Sequence, residues 1–362
     1  MSADLQFTRL PHPAPTAADV RAAVLADPGF GKAFSDYMVV IEWSEEAGWH
    51  DATLAPYGPI PLDPAAAVLH YAQEIFEGLK AYRLKDGGIA LFRPEANAQR
   101  FNASARRLAM PEIPEDLFVA AIKELVAADA DWFPTVEGGS LYLRPFMIAT
   151  EAFLGVRPAK SYKFIVIASP AGNYFKSGAP AVSIWVSDYT RAAPGGTGAA
   201  KCGGNYAASL VPTAEAFAKG HDQVLFLDAA EHRWIEELGG MNLFFVFNDG
   251  SLITPPLTGT ILPGITRDSL LALAQEEGLN VREERYSLDA WREDAASGKL
   301  VEAFACGTAA VVTPVGKVAD HGGEFVIGSG GPGQLTQKLK ARLVDIQRGE
   351  APDPHGWVMR LA

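Results

Sequence analysis

Cysteine is nearly absent from this sequence: Cys202 and Cys306 are the two in 362 residues. That scarcity excludes a framework of several disulfides, and a reduced, cytoplasmic protein is the simplest expectation. Histidine is thin and scattered, with no i, i+4 pair, and the cysteines lack ligand spacing, so no metal site is expected. A Gly-x-Ser-x-Gly elbow is missing too, which removes the signature of a Ser-His-Asp hydrolase. Positive charge runs short: Lys+Arg 31 against Asp+Glu 43 gives a net charge of -12. Such a balance is poor for binding phosphate backbones, so no nucleic-acid partner is expected, although a local basic pocket for one small anion is compatible with it. Long apolar runs are lacking; residues 164–168 make a stretch of buried-strand size, so no membrane span is expected. The start, Met1-Ser2-Ala3-Asp4, has no basic region leading into an apolar stretch, and no secretory signal is expected.

What is present is the composition of an ordinary globular chain, 48% apolar and 20% charged. Its length exceeds what one hydrophobic core usually covers, which predicts two domains. The turn-rich stretch 171–180 lies between two strand patterns and reads as the linker, separating an N-terminal domain, 1–170, from a C-terminal domain, 181–362. The first fifteen residues carry Pro11, Pro13 and Pro15 and read as an extended arm. Strand patterns fall at 39–43, 141–144, 163–168, 181–187, 224–228 and 242–248, and Asn248-Asp249-Gly250 has hairpin-turn chemistry. Helical periodicity marks 97–108, 114–130 and 266–277, the last closed by Gly278. No regular βαβ rhythm appears, so the fold class is α/β of α+β character, not a doubly wound sheet.

Lys201 sits in a run of small residues, Gly195-Gly196-Thr197-Gly198-Ala199-Ala200-Lys201-Cys202-Gly203-Gly204-Asn205-Tyr206. A lysine taken alone is usually a solvated surface residue. These neighbours neither pair nor solvate it, and they let a flat ligand lie against the backbone. A phosphate-binding P-loop would need Gly-Lys followed by Ser or Thr, and Ala200-Lys201-Cys202 breaks that on both sides. Glu237 precedes Gly239-Gly240 and an apolar strand. It reads as one of several exposed acids beside Glu231 and Glu236, or as a carboxylate that favours protonation of a pyridine nitrogen. Asn242 reads equally as a turn residue or as a side chain fixing a neighbouring loop. An amine, a phenol at Tyr206 and a carboxylate are the set required by an aldehyde cofactor held as a Schiff base.

Leu262-Pro263-Gly264-Ile265-Thr266-Arg267 leads into a helix, where backbone N–H groups and a hydroxyl suit a phosphate dianion. Taken by itself, an ordinary N-cap is the plainer reading. Cys306-Gly307-Thr308-Ala309-Ala310 is a second loop of this kind. Arg100 could clamp the same phosphate, but Arg93, Arg106 and Arg107 are close by, and spacing does not choose among them.

These blocks resemble the class IV aminotransferases, which use pyridoxal 5'-phosphate. More narrowly, the chain is similar to the branched-chain amino acid aminotransferases of the longer type. The resemblance rests on Glu237-x-x-x-x-Asn242-Leu243-Phe244, Leu252-Ile253-Thr254 and residues 262–267, together with Glu74-Ile75-Phe76-Glu77-Gly78-Leu79-Lys80-Ala81-Tyr82. Leu141-Tyr142-Leu143-Arg144-Pro145, Gly203-Gly204-Asn205-Tyr206 and Gly307-Thr308-Ala309 belong with them, and the similarity runs from residue 31 to 315.

The resemblance implies fold type IV, a small N-terminal and a larger C-terminal domain with the cofactor at their interface. It implies that Lys201 is the Schiff-base lysine and proton carrier, that Tyr206 bonds the ring oxygen, and that Glu237 partners the ring nitrogen. Arg100, Ile265, Thr266 and Thr308 would form the phosphate cup, a choice among the arginines that spacing could not make, with Gly240 also at the cofactor. Thr308 and Ala309 would receive the substrate carboxylate, and Phe34, Tyr71, Phe76, Tyr142 and Tyr174 would wall the side-chain pocket. Tyr142 and Arg144, near a homodimer interface, would help seat the glutamate side chain. The implied reaction is reversible, ping-pong transamination of leucine, isoleucine and valine with 2-oxoglutarate, giving branched 2-oxo acids and glutamate. Rival readings are a D-amino acid aminotransferase, an aminodeoxychorismate lyase, or a silent homologue that only binds; Lys201, Tyr206 and Glu237 together count against the last. The chain departs from animal members, which carry a Cys-x-x-Cys pair where Ala310 and Thr313 stand here, so redox switching through that pair is not expected. It also has Gly240 where some relatives have Thr.

Overall fold

Alternating apolar positions in 140–149 and 161–171 build the longest hairpin-like pairing, running in register from Ser140↔Ala171 to Ala149↔Tyr162. The computed structural model describes residues 5–172 and 180–361; Tyr174 and most of the expected linker lie outside the described residues. The chain divides into two units, one of Met1–Lys176, Ala200–Gly203 and Ile346–Ala362, the other of Ser177–Ala199 and Gly204–Asp345.

The first unit holds a sheet that is nine-stranded among the described residues. Its path runs Thr8–Arg9, Gly48–Pro56, Tyr37–Ser44, Ser161–Ala171, Ser140–Ala149, Leu79–Arg83, Ile89–Phe92, Val358–Leu361, with Glu74–Phe76 pairing beside Ser140–Ala149. Every pair is antiparallel except the first. Helices Pro94–Arg107 and Glu115–Ala128 lie against each other, and the second also covers Tyr37–Ser44 and Ser161–Ala171. Phe101, Phe118 and Phe164 meet there with ring centres 5.4 to 5.6 Å apart. The helix expected at 97–108 starts earlier because Pro94 is preorganised for a first helical turn. The pattern read to residue 130 splits into the helix and a 3-10 turn, Ala130–Trp132.

The second unit holds another sheet, nine-stranded among the described residues, in the order Ile235–Leu238, Gln223–Leu227, Val182–Val186, Val311–Asp320, Leu300–Gly307, Asn242–Phe247, Ser251–Thr254, Asn280–Glu283, with Gly323–Val326 pairing beside Val311–Asp320. Parallel and antiparallel pairs mix in it. Asn248-Asp249-Gly250 makes the expected turn, with Gly250 at φ 82°. Phe244 and Phe304 stack at 5.0 Å in its core. The mixed, largely antiparallel sheets agree with α+β character. Two later segments group with the first unit: Val358–Leu361 pairs with Ile89–Phe92, and Phe76 N–H donates to Lys201 O.

Candidate active site

Lys201 is fixed through its backbone. Its N–H donates to Ser104 Oγ at 2.9 Å, and its carbonyl accepts from Phe76 N–H at 2.9 Å. Two residues on, Gly203 N–H donates to the Glu74 carboxylate, and a Cβ at 203 would collide with that carboxylate. Lys201 Nζ lies 4.8 Å from the centre of the Phe76 ring, and Arg144 Cζ lies 4.8 Å from the same ring. Arg144 Nη2 donates to Tyr142 Oη at 3.2 Å, while Arg144 Nε is buried with no hydrogen-bond partner among the described residues. A buried guanidinium donor of that kind suits a carboxylate.

Helix Pro94–Arg107 presents Asn97, Arg100 and Ser104 at i, i+3 and i+7, one face of the helix. That face meets Glu77, which is fully buried. Arg100 Nε donates to Glu77 Oε1 at 2.7 Å and Nη2 to Oε2 at 2.9 Å, while Asn97 Nδ2 donates to Oε2 at 2.7 Å. Burial pushes the Glu77 carboxyl up, but Arg100, Lys201 and Asn97 outweigh it and hold it below the usual carboxylate range.

In the second unit, strand Ile235–Leu238 is buried at all four positions. Glu237 is therefore not one of several exposed acids: its Oε1 lies 2.7 Å from Arg191 Nη1 and accepts from Leu262 N–H at 3.1 Å. Its neighbour Glu236 is also buried, and burial raises its carboxyl. Gly240 faces the Tyr206 ring, since a Cβ there would lie 3.9 Å from Tyr206 Cε1. A Cβ at Gly307 would lie 3.4 Å from Gly240 O, which sets the tip carrying Thr308 and Ala309 beside the same glycine. Val311 closes that tip at φ 62°, a strained conformation for a β-branched residue. Asn242 fixes a loop: its Nδ2 donates to Leu262 O at 3.0 Å, and a Cβ at Gly264 would collide with its Oδ1. The loop delivers helix Ile265–Glu276, with Ile265 and Thr266 in its first turn and Thr266 buried. First-turn N–H groups lack helical partners and favour anions.

The structure thus brings Lys201, Phe76, Arg100, Tyr142 and Arg144 together in one unit. In the other it gathers Tyr206, Gly240 and the 308–309 tip, and sets Glu237 and the helix start on either side of the 262–264 loop. Phe34 and Tyr71 engage other partners: Phe34 stacks on Tyr57 at 5.0 Å, and the exposed Tyr71 donates to Leu154 O at 2.5 Å. Phe30 instead meets Tyr142 edge-on at 4.9 Å. Sequence reasoning passed over Glu77, Asn97, Ser104 and Arg191. Glu77 and Arg191 stood in view, an acid inside an apolar block and an arginine opening the small-residue run. Both cysteines are buried and unpaired with each other, and burial pushes the Cys306 thiol up.

A family model described as amino-transferase class IV matches residues 74–318. The chain is 56% identical over 365 residues to a branched-chain-amino-acid aminotransferase of Mycolicibacterium smegmatis, covering 99% of each. Among solved structures, the Escherichia coli branched-chain amino acid aminotransferase superposes with a TM-score of 0.76 at 31% identity, over 90% of this chain and 99% of that one. The branched-chain amino acid aminotransferase from Thermobaculum terrenum, in its PLP-form, gives 0.72 at 25% identity, over 90% and 98%. The chain belongs to the class IV aminotransferases and, within them, to the branched-chain-amino-acid aminotransferase family.

Proposed function

We propose that this chain catalyses reversible transamination of leucine, isoleucine and valine with 2-oxoglutarate, using pyridoxal 5'-phosphate bound through Lys201. The observation that carries the reading is the Lys201 amine itself, anchored through N–H and C=O and set 4.8 Å from an aromatic ring that an arginine also approaches. The donor set fits the group: an amine for the aldehyde, the buried Glu237 for a ring nitrogen, the Tyr206 phenol and a helix start with a buried threonine for phosphate. Gly240 and Gly307 lack Cβ atoms, and a flat ring could lie close against backbone of that kind.

When bound, the cofactor supplies an electron sink for the substrate's α-carbon. Lys201 Nζ would take the proton from the substrate's α-carbon and hold it for return. Glu237 would partner the ring nitrogen and favour its protonated form, and Tyr206 would donate to the ring oxygen. Arg100, the first-turn groups of Ile265 and Thr266, and Thr308 would bind its phosphate. Thr308 and Ala309 receive the substrate carboxylate. Phe76 and Tyr142 would wall the alkyl pocket, where apolar contacts separate small alkyl groups only weakly. Arg144, with its buried Nε, takes the side-chain carboxylate of glutamate when that substrate enters. The working form is a cytoplasmic homodimer.

Steady-state kinetics with L-leucine, L-isoleucine, L-valine and D-alanine test the reading, each paired with 2-oxoglutarate. Turnover of the three L-substrates supports it, and turnover of D-alanine alone refutes it.

A further inference from the structure

Arg191 and Glu237 form a pair that surface electrostatics does not explain. The Nη1–Oε1 distance is 2.7 Å, and each side chain is 3% exposed. Removing both charges from water is costly, and a buried pair of this kind seldom adds stability over an apolar one. The same Nη1 also donates to Thr260 O at 3.0 Å and to Gly198 O at 3.5 Å, which holds the guanidinium in place. Gly198 has no room for a Cβ against the Thr260 backbone, so the small-residue run passes close enough for both carbonyls to reach the guanidinium. Thr260 Oγ1 in turn donates to Glu236 at 2.5 Å. One arginine therefore stands among two consecutive buried glutamates, and it favours ionisation of Glu236 against burial and the charge of Asp228.

We propose that Arg191 is a positioning residue for the reaction, whose charge keeps the proton shared between Glu237 and the cofactor's ring nitrogen on the nitrogen. This rests on the function proposed above. A carboxylate buried beside a pyridinium can take the proton from it and leave both neutral, and a neutral ring is a poor electron sink. A guanidinium in contact with the carboxylate stabilises its ionised form and weakens it as a base. An arginine is suited to this because it stays charged at any working pH. Its link to Glu237 runs through the same Oε1 that Leu262 N–H binds, so the carboxylate is turned by two fixed donors.

The test reconstitutes the wild type, Arg191→Gln and Arg191→Lys with pyridoxal phosphate carrying 15N at the ring nitrogen, and reads the 15N shift of the bound group beside kcat and KM. The wild type and Arg191→Lys are expected to show the pyridinium position. Arg191→Gln, which keeps a donor for Thr260 O but no charge, is expected to move toward neutral pyridine, with kcat lower by roughly tenfold, the scale seen when partners of a working ligand are lost. A pyridinium shift retained in Arg191→Gln overturns the proposal. Should Arg191→Gln not fold, loss of the pyridinium signal in a folded Arg191→Lys overturns it, and its retention supports it. A wild type that takes up no cofactor refutes the underlying function instead.

Discussion

Arg100 grips Glu77 side-on, Nε to Oε1 at 2.7 Å and Nη2 to Oε2 at 2.9 Å, where Glu77 has no exposure to solvent. Glu77→Ala would leave the guanidinium buried without its counter-charge, and a loss of about 3–5 kcal/mol is expected in denaturant unfolding. A pH dependence follows, because the folded Glu77 carboxyl is held below its unfolded value near 4.5. Its contribution is present above that unfolded value and is lost as pH falls through the lower, folded one. The difference between wild type and Glu77→Ala should shrink in that acid range; a difference that stays constant down to low pH contradicts the assignment.

Gly78→Ala probes the pocket wall. A Cβ at 78 would collide with Tyr142 Oη, and that tyrosine also accepts from Arg144. Displacing the pair should raise KM for leucine and glutamate by about tenfold, the effect of roughly 1.4 kcal/mol of lost binding, with little change in melting temperature. Unchanged KM values would remove Tyr142 and Arg144 from the substrate site.

Glu237→Gln keeps the shape and the Leu262 contact but discards the charge. Cofactor uptake should persist while kcat falls by about 10²–10³, as when one electrostatic partner of the reacting system is removed. An unchanged kcat would take the ring-nitrogen role away from this residue.

Asp129 supplies an independent pH test. Burial pushes its carboxyl up to about 7, against hydrogen bonds from Ser35 and from Tyr37 N–H at 3.2 Å, with Asp36 adding to the rise. The unfolded chain releases this proton near pH 4, so the folded state loses stability as pH climbs from about 4 to about 7, and the whole penalty applies above. Asp129→Asn should melt higher than wild type at alkaline pH, with the advantage closing toward about pH 4. A pH-independent difference would contradict the assignment.

The residues legible in the sequence were those whose surroundings are local. Lys201 and Tyr206 stand in one glycine-rich run, and the start of helix Ile265–Glu276 is marked by its own loop. Glu237 could be read two ways because its burial depends on Arg191, forty-six positions earlier, and on the 262 loop. Spacing could not separate Arg100 from the three other arginines near it, since what sets it apart in the structure is its bond to Glu77, 23 positions away. The partition of the chain was hidden for a similar reason. Strand Val358–Leu361 completes a sheet begun at the N-terminus, and no local pattern reports a pairing across more than two hundred residues.

The account depends most on the amine at position 201. Borohydride reduction of the cofactor-loaded protein, followed by peptide mapping, should place the phosphopyridoxyl mass on the peptide containing Lys201, and Lys201→Ala should show neither label nor turnover. A label on Lys80 or another lysine, or full turnover in Lys201→Ala, would contradict it.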